Sequence, residues 1–378
     1  MTVVDSRPTG AKQVDARAPR RLPRALHPAA WWIWALGMAT AASRTTNLLL
    51  LGLILAVVSF VVSARRTAAP WARGFVYYLY MALFIVGLRV LFRVVFDAGA
   101  GTTLLFTLPE IPLPEAAAGI TIGGAVTLEA IMAALRDGLR LATLIICLGA
   151  ANVLANPKRL LASVPGALHQ LAVAVTVALS VAPQLVESAQ RIQRARRLRG
   201  DTGRRTHVLR DIVVPVATDA LDRSLLLAAS MDSRGHGRRA SVASGSARAA
   251  GLAVLAGLVG VCIGTYGTLD TTVPRLLGLP MLFGGLAVAA VGFWLGGRKV
   301  QRSRYRPEPW GLAEWGVSLC GVAVAASMVW LAGADPLALN PSVADLAWPG
   351  LPLAGALAVS IGLLPGFVAP PVELESPA

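Results

Sequence analysis

The chain has 378 residues, of which 55% are hydrophobic and 15% charged, and its formal net charge is +15. That share of apolar residues exceeds what a soluble domain of this length uses for its core and points to a bilayer as the main solvent. The basic residues stand in blocks between apolar runs, without aromatic interleaving or a nucleic-acid fold motif, and this placement argues against nucleic acid as their partner.

A helix crossing the hydrocarbon needs about 20 mostly apolar residues. Eight runs are candidates, at 29–43, 47–64, 74–95, 128–153, 249–267, 276–296, 312–332 and 350–369. The first follows a basic leader and opens with Trp31, Trp32, Ile33 and Trp34; a signal peptide ending near Ala39-Thr40-Ala41 is its other reading. Arg17, Arg20, Arg21 and Arg24 place the N-terminus inside by the positive-inside rule, and Arg65, Arg66 and Arg73 place the second connection there too. Asp97 to Val126 lacks lysine and arginine, carries Glu110 and Glu115, and is predicted outside. The loop after Asn156 is strongly basic and therefore inside, as is the connection with Arg298, Lys299, Arg302, Arg304 and Arg306.

These spans predict an all-α, polytopic membrane protein with a large cytoplasmic helical loop and both termini in the cytoplasm. Its parts are a basic tail (1–28), N-terminal spans (29–155), the cytoplasmic loop (156–248), a closing span (249–267), additional C-terminal spans (268–369) and a short tail (370–378). Leu171 to Val186 is apolar enough for a span, yet Lys158 and Arg159 precede it and Arg191 follows. It is predicted to pack against the bundle or lie along the inner interface.

Charges inside the spans are costly unless paired. Arg89 and Arg93 lie one turn apart in the third span, and Glu129, Arg136, Asp137 and Arg140 fall in the fourth. An ion pair of Asp137 with an arginine of either span predicts a bundle-fixing role; a proton or ion relay is the alternative. Cys147, Cys262 and Cys320 lie in apolar runs, and His27, His169, His207 and His236 are scattered, so neither type predicts a metal site. The lysines, Lys12, Lys158 and Lys299, have no P-loop setting. Neither an enzymatic site nor a cofactor is therefore expected in this chain, and any ATP hydrolysis belongs to another subunit.

The cytoplasmic loop has a repeated design. A helical stretch from about Gln184 to Leu198 ends in Arg199-Gly200, and a second from about Ala217 to Ser233 ends in Arg234-Gly235. Glu187 precedes Arg191 at i,i+4 in the first, and Leu221, Leu225 and Ala228 form an apolar stripe in the second. Glycine past a helix end permits a left-handed cap, and arginine in the last turn suits the negative end of the dipole. One Arg-Gly is an ordinary helix ending. Two in one loop, each after an amphipathic stretch, point to a paired docking device.

In these residues the chain resembles the transmembrane coupling subunit, or T component, of energy-coupling-factor transporters, the family that includes CbiQ-type cobalt transport proteins. The family's mark is two Ala-Arg-Gly or Ser-Arg-Gly motifs at the ends of two cytoplasmic coupling helices. Ser233-Arg234-Gly235 matches closely; Leu198-Arg199-Gly200 keeps arginine and glycine but has leucine for the small residue. Asp137-Gly138-Leu139-Arg140, Asn156-Pro157 with Leu160-Leu161, and Val181-Ala182-Pro183-Gln184-Leu185-Val186-Glu187 are similar to family text as well. The resemblance covers roughly residues 25 to 267. It implies that two ATP-binding-cassette (ABC) type ATPase subunits each receive one arginine, Arg199 or Arg234, and that the coupling helices move a separate substrate-binding membrane protein, the S component, for uptake of a vitamin or of cobalt or nickel. A self-sufficient secondary transporter or channel built on Arg89, Arg93 and Asp137 is the competing expectation.

Overall fold

A computed structural model describes residues 26–66, 74–96, 101–111, 122–164, 168–200, 205–235, 244–269, 274–298, 310–341 and 350–370. The leader arginines Arg17, Arg20, Arg21 and Arg24, together with Arg73, Glu115, His236, Lys299, Arg302, Arg304 and Arg306, lie outside these residues. In chain order the elements are α1 (Pro28–Ser43), α2 (Leu48–Arg65), α3 (Phe75–Phe96), β1 (Leu104–Ile111), β2 (Ile122–Thr127), α4 (Leu128–Leu154), α5 (Pro157–Ser163), α6 (His169–Leu198), α7 (Arg205–Ser233), α8 (Ser244–Leu269), α9 (Leu279–Arg298), α10 (Leu312–Ala334), α11 (Pro336–Leu339), α12 (Leu353–Ser360) and α13 (Pro365–Val368). They form two units, one of Met1–Asn156 with Pro309–Ala378 and one of Pro157–Glu308.

The first unit is built around α1. His27 starts this helix, its Nδ1 accepting from the Ala29 amide at 3.2 Å, with Pro28 supplying a preset φ in the first turn. The helix is apolar on every side, the pattern of a helix surrounded by others, and Trp34, Ala35, Met38, Ala41 and Ala42 are fully buried. It packs on α10 and α4, and α2 packs on α4 and α12. Asn47 caps α2 through the Leu49 amide and donates from Nδ2 to the Gly350 carbonyl at 2.9 Å.

The C-terminal segment is thus part of this unit's core. The indole Nε1 of Trp34 donates to the Gly362 carbonyl at 3.1 Å, and Thr45 donates to that of Leu339 at 2.8 Å. Arg65 at the end of α2 donates to the Gly366 carbonyl at 2.9 and 2.6 Å and to the Pro370 carbonyl at 3.0 Å. These bonds use carbonyls that a broken helix leaves open, and they tie together segments about three hundred residues apart in sequence.

Within the second unit α8 and α9 pack closely through small residues. A Cβ on Gly285 would stand 2.5 Å from the Val261 amide nitrogen, and one on Gly260 would stand 3.0 Å from the Gly285 Cα. Such backbone approach is the small-residue packing of membrane helices, where no hydrophobic drive separates lipid from helix contact.

Six described helices are long and apolar enough to cross a membrane, seven when the broken pair α4 and α5 counts as one. Five of the six match expected runs; the sixth, Gln170–Leu198, takes in the stretch expected to lie at the interface or against the bundle. Two expected spans are shorter than a single straight crossing. α1 has 16 residues, and the last apolar run breaks into α12, a 3-10 turn and α13. The predominantly helical architecture holds, with one addition: the segment read as a plain outer connection contains an antiparallel hairpin, β1 with β2.

Candidate functional site

The polar centre of the second unit is the pair α6 and α7. α6 runs 30 residues and α7 runs 29, so both are longer than the stretches expected from Gln184 and from Ala217. Pro183 and Pro215 sit inside them, each removing one helix hydrogen bond. Ser188 Oγ donates to Asp219 Oδ2 at 2.6 Å, and Arg196 pairs with Asp211 at 3.0 Å. Eight residues up α6 therefore match eight residues down α7, which makes the helices antiparallel and places two polar links about 12 Å apart along them.

Asp219 is the hub. It accepts from Ser188 and, on its own helix, from Arg223 Nε at 3.2 Å. The Ser188 hydroxyl, then the Arg223 hydrogen bond, then the charges of Arg223 and Arg191 hold its carboxyl below the usual range, while partial desolvation opposes them. Its folded pKa is thus lower than its unfolded one, so its contribution to joining the helices is present at neutral pH and is lost as pH falls through the carboxylate range. The protection of α6 and α7 amides, taken relative to their intrinsic exchange rates at each pH, is expected to fall as pH drops through the carboxylate range. Asp219→Asn should lower protection already at neutral pH and flatten that acid loss; an unchanged profile would show that the link does not hold the helices.

The two Arg-Gly endings share one local geometry. Gly200 and Gly235 each have φ of +75°, the left-handed conformation that suits glycine. The Gly200 amide donates to the Arg197 carbonyl at 3.1 Å and the Gly235 amide to that of Asp232 at 2.8 Å, closing both helices three residues back. Ser233 donates its hydroxyl to the Ser230 carbonyl at 2.9 Å. Arg199 and Arg234 are exposed, each beside its glycine. Since α7 is 29 residues long, at about 1.5 Å per residue it sets them roughly 43 Å apart, at opposite ends of the antiparallel pair. Glu187 and Arg191 are exposed on α6, and Leu221 and Leu225 are 60% and 62% exposed on α7. An apolar row left open between the two arginines is a face suited to a partner.

The intramembrane charges lie in the first unit. Arg89 and Asp137 meet at 3.1 Å, one of the expected ion pairs. Arg93 lines the same cavity of about 190 Å³ with Phe92, Phe96, Ala133 and Ala134. Arg140 does not join them: its guanidinium donates to the Ser43 carbonyl, and Arg136 donates to the Pro341 carbonyl at 2.7 Å. Both arginines thus fasten α4 to neighbouring turns instead of lining a path. Among the described residues, no group of three or more His, Cys, Asp or Glu side chains is placed to hold a metal ion.

Sequence reasoning missed Ser188, Asp211 and Asp219 as cross-links. Asp219 and Arg223 carried an i,i+4 signal, but pairing across two helices has no signature in one sequence.

Helices long and apolar enough to span a membrane, together with a long helical pair that ends in two exposed arginines, mark a multi-pass membrane protein. A family model described as cobalt transport protein, CbiQ, matches residues 19–244, and the chain belongs to that family. The match takes in α1 through α7 and stops where α8 begins, short of the helix expected to close the family plan. No curated protein matches the chain.

Proposed function

We propose that this chain is the transmembrane coupling component of an energy-coupling-factor importer, with Arg199 and Arg234 as its contacts to two ABC-type ATPase subunits. The observation that carries this reading is the repeated ending: two long helices, each closed by a left-handed glycine beside an exposed arginine. Arginine suits a moving junction because its planar fork makes directional, often bidentate bonds to carboxylates and stays charged on partial burial. Motion imposed on one helix end passes to the other helix through the Ser188 to Asp219 and Arg196 to Asp211 links. The pair then tilts a separate substrate-binding membrane subunit, which recognises the vitamin, cobalt or nickel. Chemistry on ATP resides in the ATPases.

In this reading both termini and the α6 and α7 pair are cytoplasmic. α6 is long and apolar enough to cross, but basic residues flank its apolar part, Leu171 to Val186, on both sides, and a crossing would put one of those clusters outside. It runs along the inner interface and carries Arg199 outward into the cytoplasm.

The competing reading, a self-sufficient transporter, draws on the Arg89 to Asp137 pair and its cavity. Reconstitution separates the two. The chain should co-purify with two ATPase subunits and a small membrane protein, and it should move no substrate alone in vesicles. Uptake by the chain alone would overturn the coupling assignment.

A further inference from the structure

The hairpin between α3 and α4 has no role in the coupling reading. β2 runs into α4 without a linker, since Thr127 is both its last residue and the cap of that helix, accepting from the Ala130 amide. The ribbon is therefore held at the N-terminal end of α4. Glu129 fixes its base: its carboxylate accepts from the amides of Thr102 and Thr103 at 3.2 and 3.1 Å and from their hydroxyls at 2.9 and 2.8 Å. β2 is the inner strand, in contact with α3 and α4, and Gly123, Gly124, Val126 and Thr127 are buried.

β1 is the outer strand. Phe106 pairs with Val126 and Leu108 with Gly124 on one side, and among the described residues the other edge of β1 carries no strand. Leu104, Leu105 and Phe106 are 57%, 49% and 46% exposed. A register shift between Leu104 and Phe106 interrupts the strand's alternation there, and all three apolar side chains stand exposed.

Two requirements fix what can cover it. An open strand edge presents unpaired amides and carbonyls, which the hydrocarbon core does not tolerate. Bulk water satisfies the edge but leaves two leucines and a phenylalanine wet. The boundary between headgroups and acyl chains meets both needs, with water and phosphate for the backbone and hydrocarbon for the side chains. Residues 97–126 contain no lysine or arginine, so attraction to anionic lipid plays no part.

We propose that the hairpin is an interfacial anchor, Leu104, Leu105 and Phe106 of β1 seated in the bilayer's headgroup boundary and holding the joined ends of α3 and α4 at a fixed depth. The test places benzoylphenylalanine at position 106 of the full chain in its own membrane. Ultraviolet illumination is expected to give a phospholipid acyl-chain adduct by mass spectrometry. An adduct to a second copy or to another protein would overturn the proposal, as would an intact chain without any lipid adduct. A second site guards against a local effect of that residue. The chain with Leu105→Cys, Cys262→Ser and Cys320→Ser would be spin-labelled at position 105 in phosphatidylcholine vesicles, with and without phosphatidylglycerol. Oxygen should relax this label more than a water-soluble nickel complex does, to the same degree in both vesicles, and in contrast to a label at Arg210→Cys. Nickel relaxation equal to that at position 210 would overturn the anchor, and so would a label that neither agent reaches.

Discussion

Replacing both Arg199 and Arg234 by glutamate is expected to abolish recovery of the ATPases with this chain and, with it, uptake. Each arginine stands exposed at a helix end, so reversal leaves α6 and α7 themselves intact and the yield of chain unchanged. On the coupling reading, what it removes is a contact with another subunit. Truncating one partner of a buried charge pair at an interface costs about 2 to 5 kcal/mol, roughly 30-fold to a few thousand-fold in affinity, and reversal adds repulsion. One such loss on each of two ATPases leaves no complex at working concentrations. Arg234→Lys and Arg199→Lys keep the charge but lose the fork, and should fall between wild type and the reversed forms. On the coupling reading each arginine serves its own subunit, so single reversals should each release one ATPase. Full co-purification and full uptake by the double variant would end the coupling assignment, and loss of the chain itself would show a folding role instead.

The two arginines were legible in the sequence because a helix end is a local event. Glycine after arginine calls for a left-handed residue, and Gly200 and Gly235 adopt it at the same φ. Spanning runs were legible for a similar reason, since length and hydropathy are properties of a single segment. Neighbours were not. A helix such as α1 is apolar on all sides, so no amphipathic face says which partner it meets, and the return of α10 to α13 into the core of the first unit left no trace in periodicity. The hairpin stayed hidden for another reason: Asp97 to Val126 was read by its lack of basic residues, which reports the side of the membrane and is silent on conformation. Asp137 was expected to pair with an arginine and does so with Arg89, while Arg140 turned to a carbonyl that no sequence pattern places nearby.

The C-terminal helices lie beyond the family match, and their contribution can be measured at one crossing. α1 and α10 touch backbone to backbone at Gly37 and Gly321: a Cβ on Gly37 would collide with the Gly321 carbonyl, and a Cβ on Gly321 would collide with the Trp34 Cα. Backbone is the least compliant neighbour a new side chain can meet. Gly321→Leu must push the helices apart, strip Trp34 of its fully buried position and endanger its bond to Gly362. Overpacking of this kind costs about 1 to 3 kcal/mol, more where several contacts are lost together. Gly52 in α2 has no atom within 4 Å of the Cβ it would acquire, so Gly52→Ala meets no clash and gains up to about 1 kcal/mol of helix propensity. In detergent, the midpoint of thermal unfolding followed by size-exclusion chromatography should fall clearly for Gly321→Leu and hold or rise for Gly52→Ala. Uptake should fall with the first, since α1, α2 and α4 share their core with α10. Equal midpoints for the two variants would mean that the crossing is not formed, and that residues 310–370 are an appendage to the family core instead of a part of it.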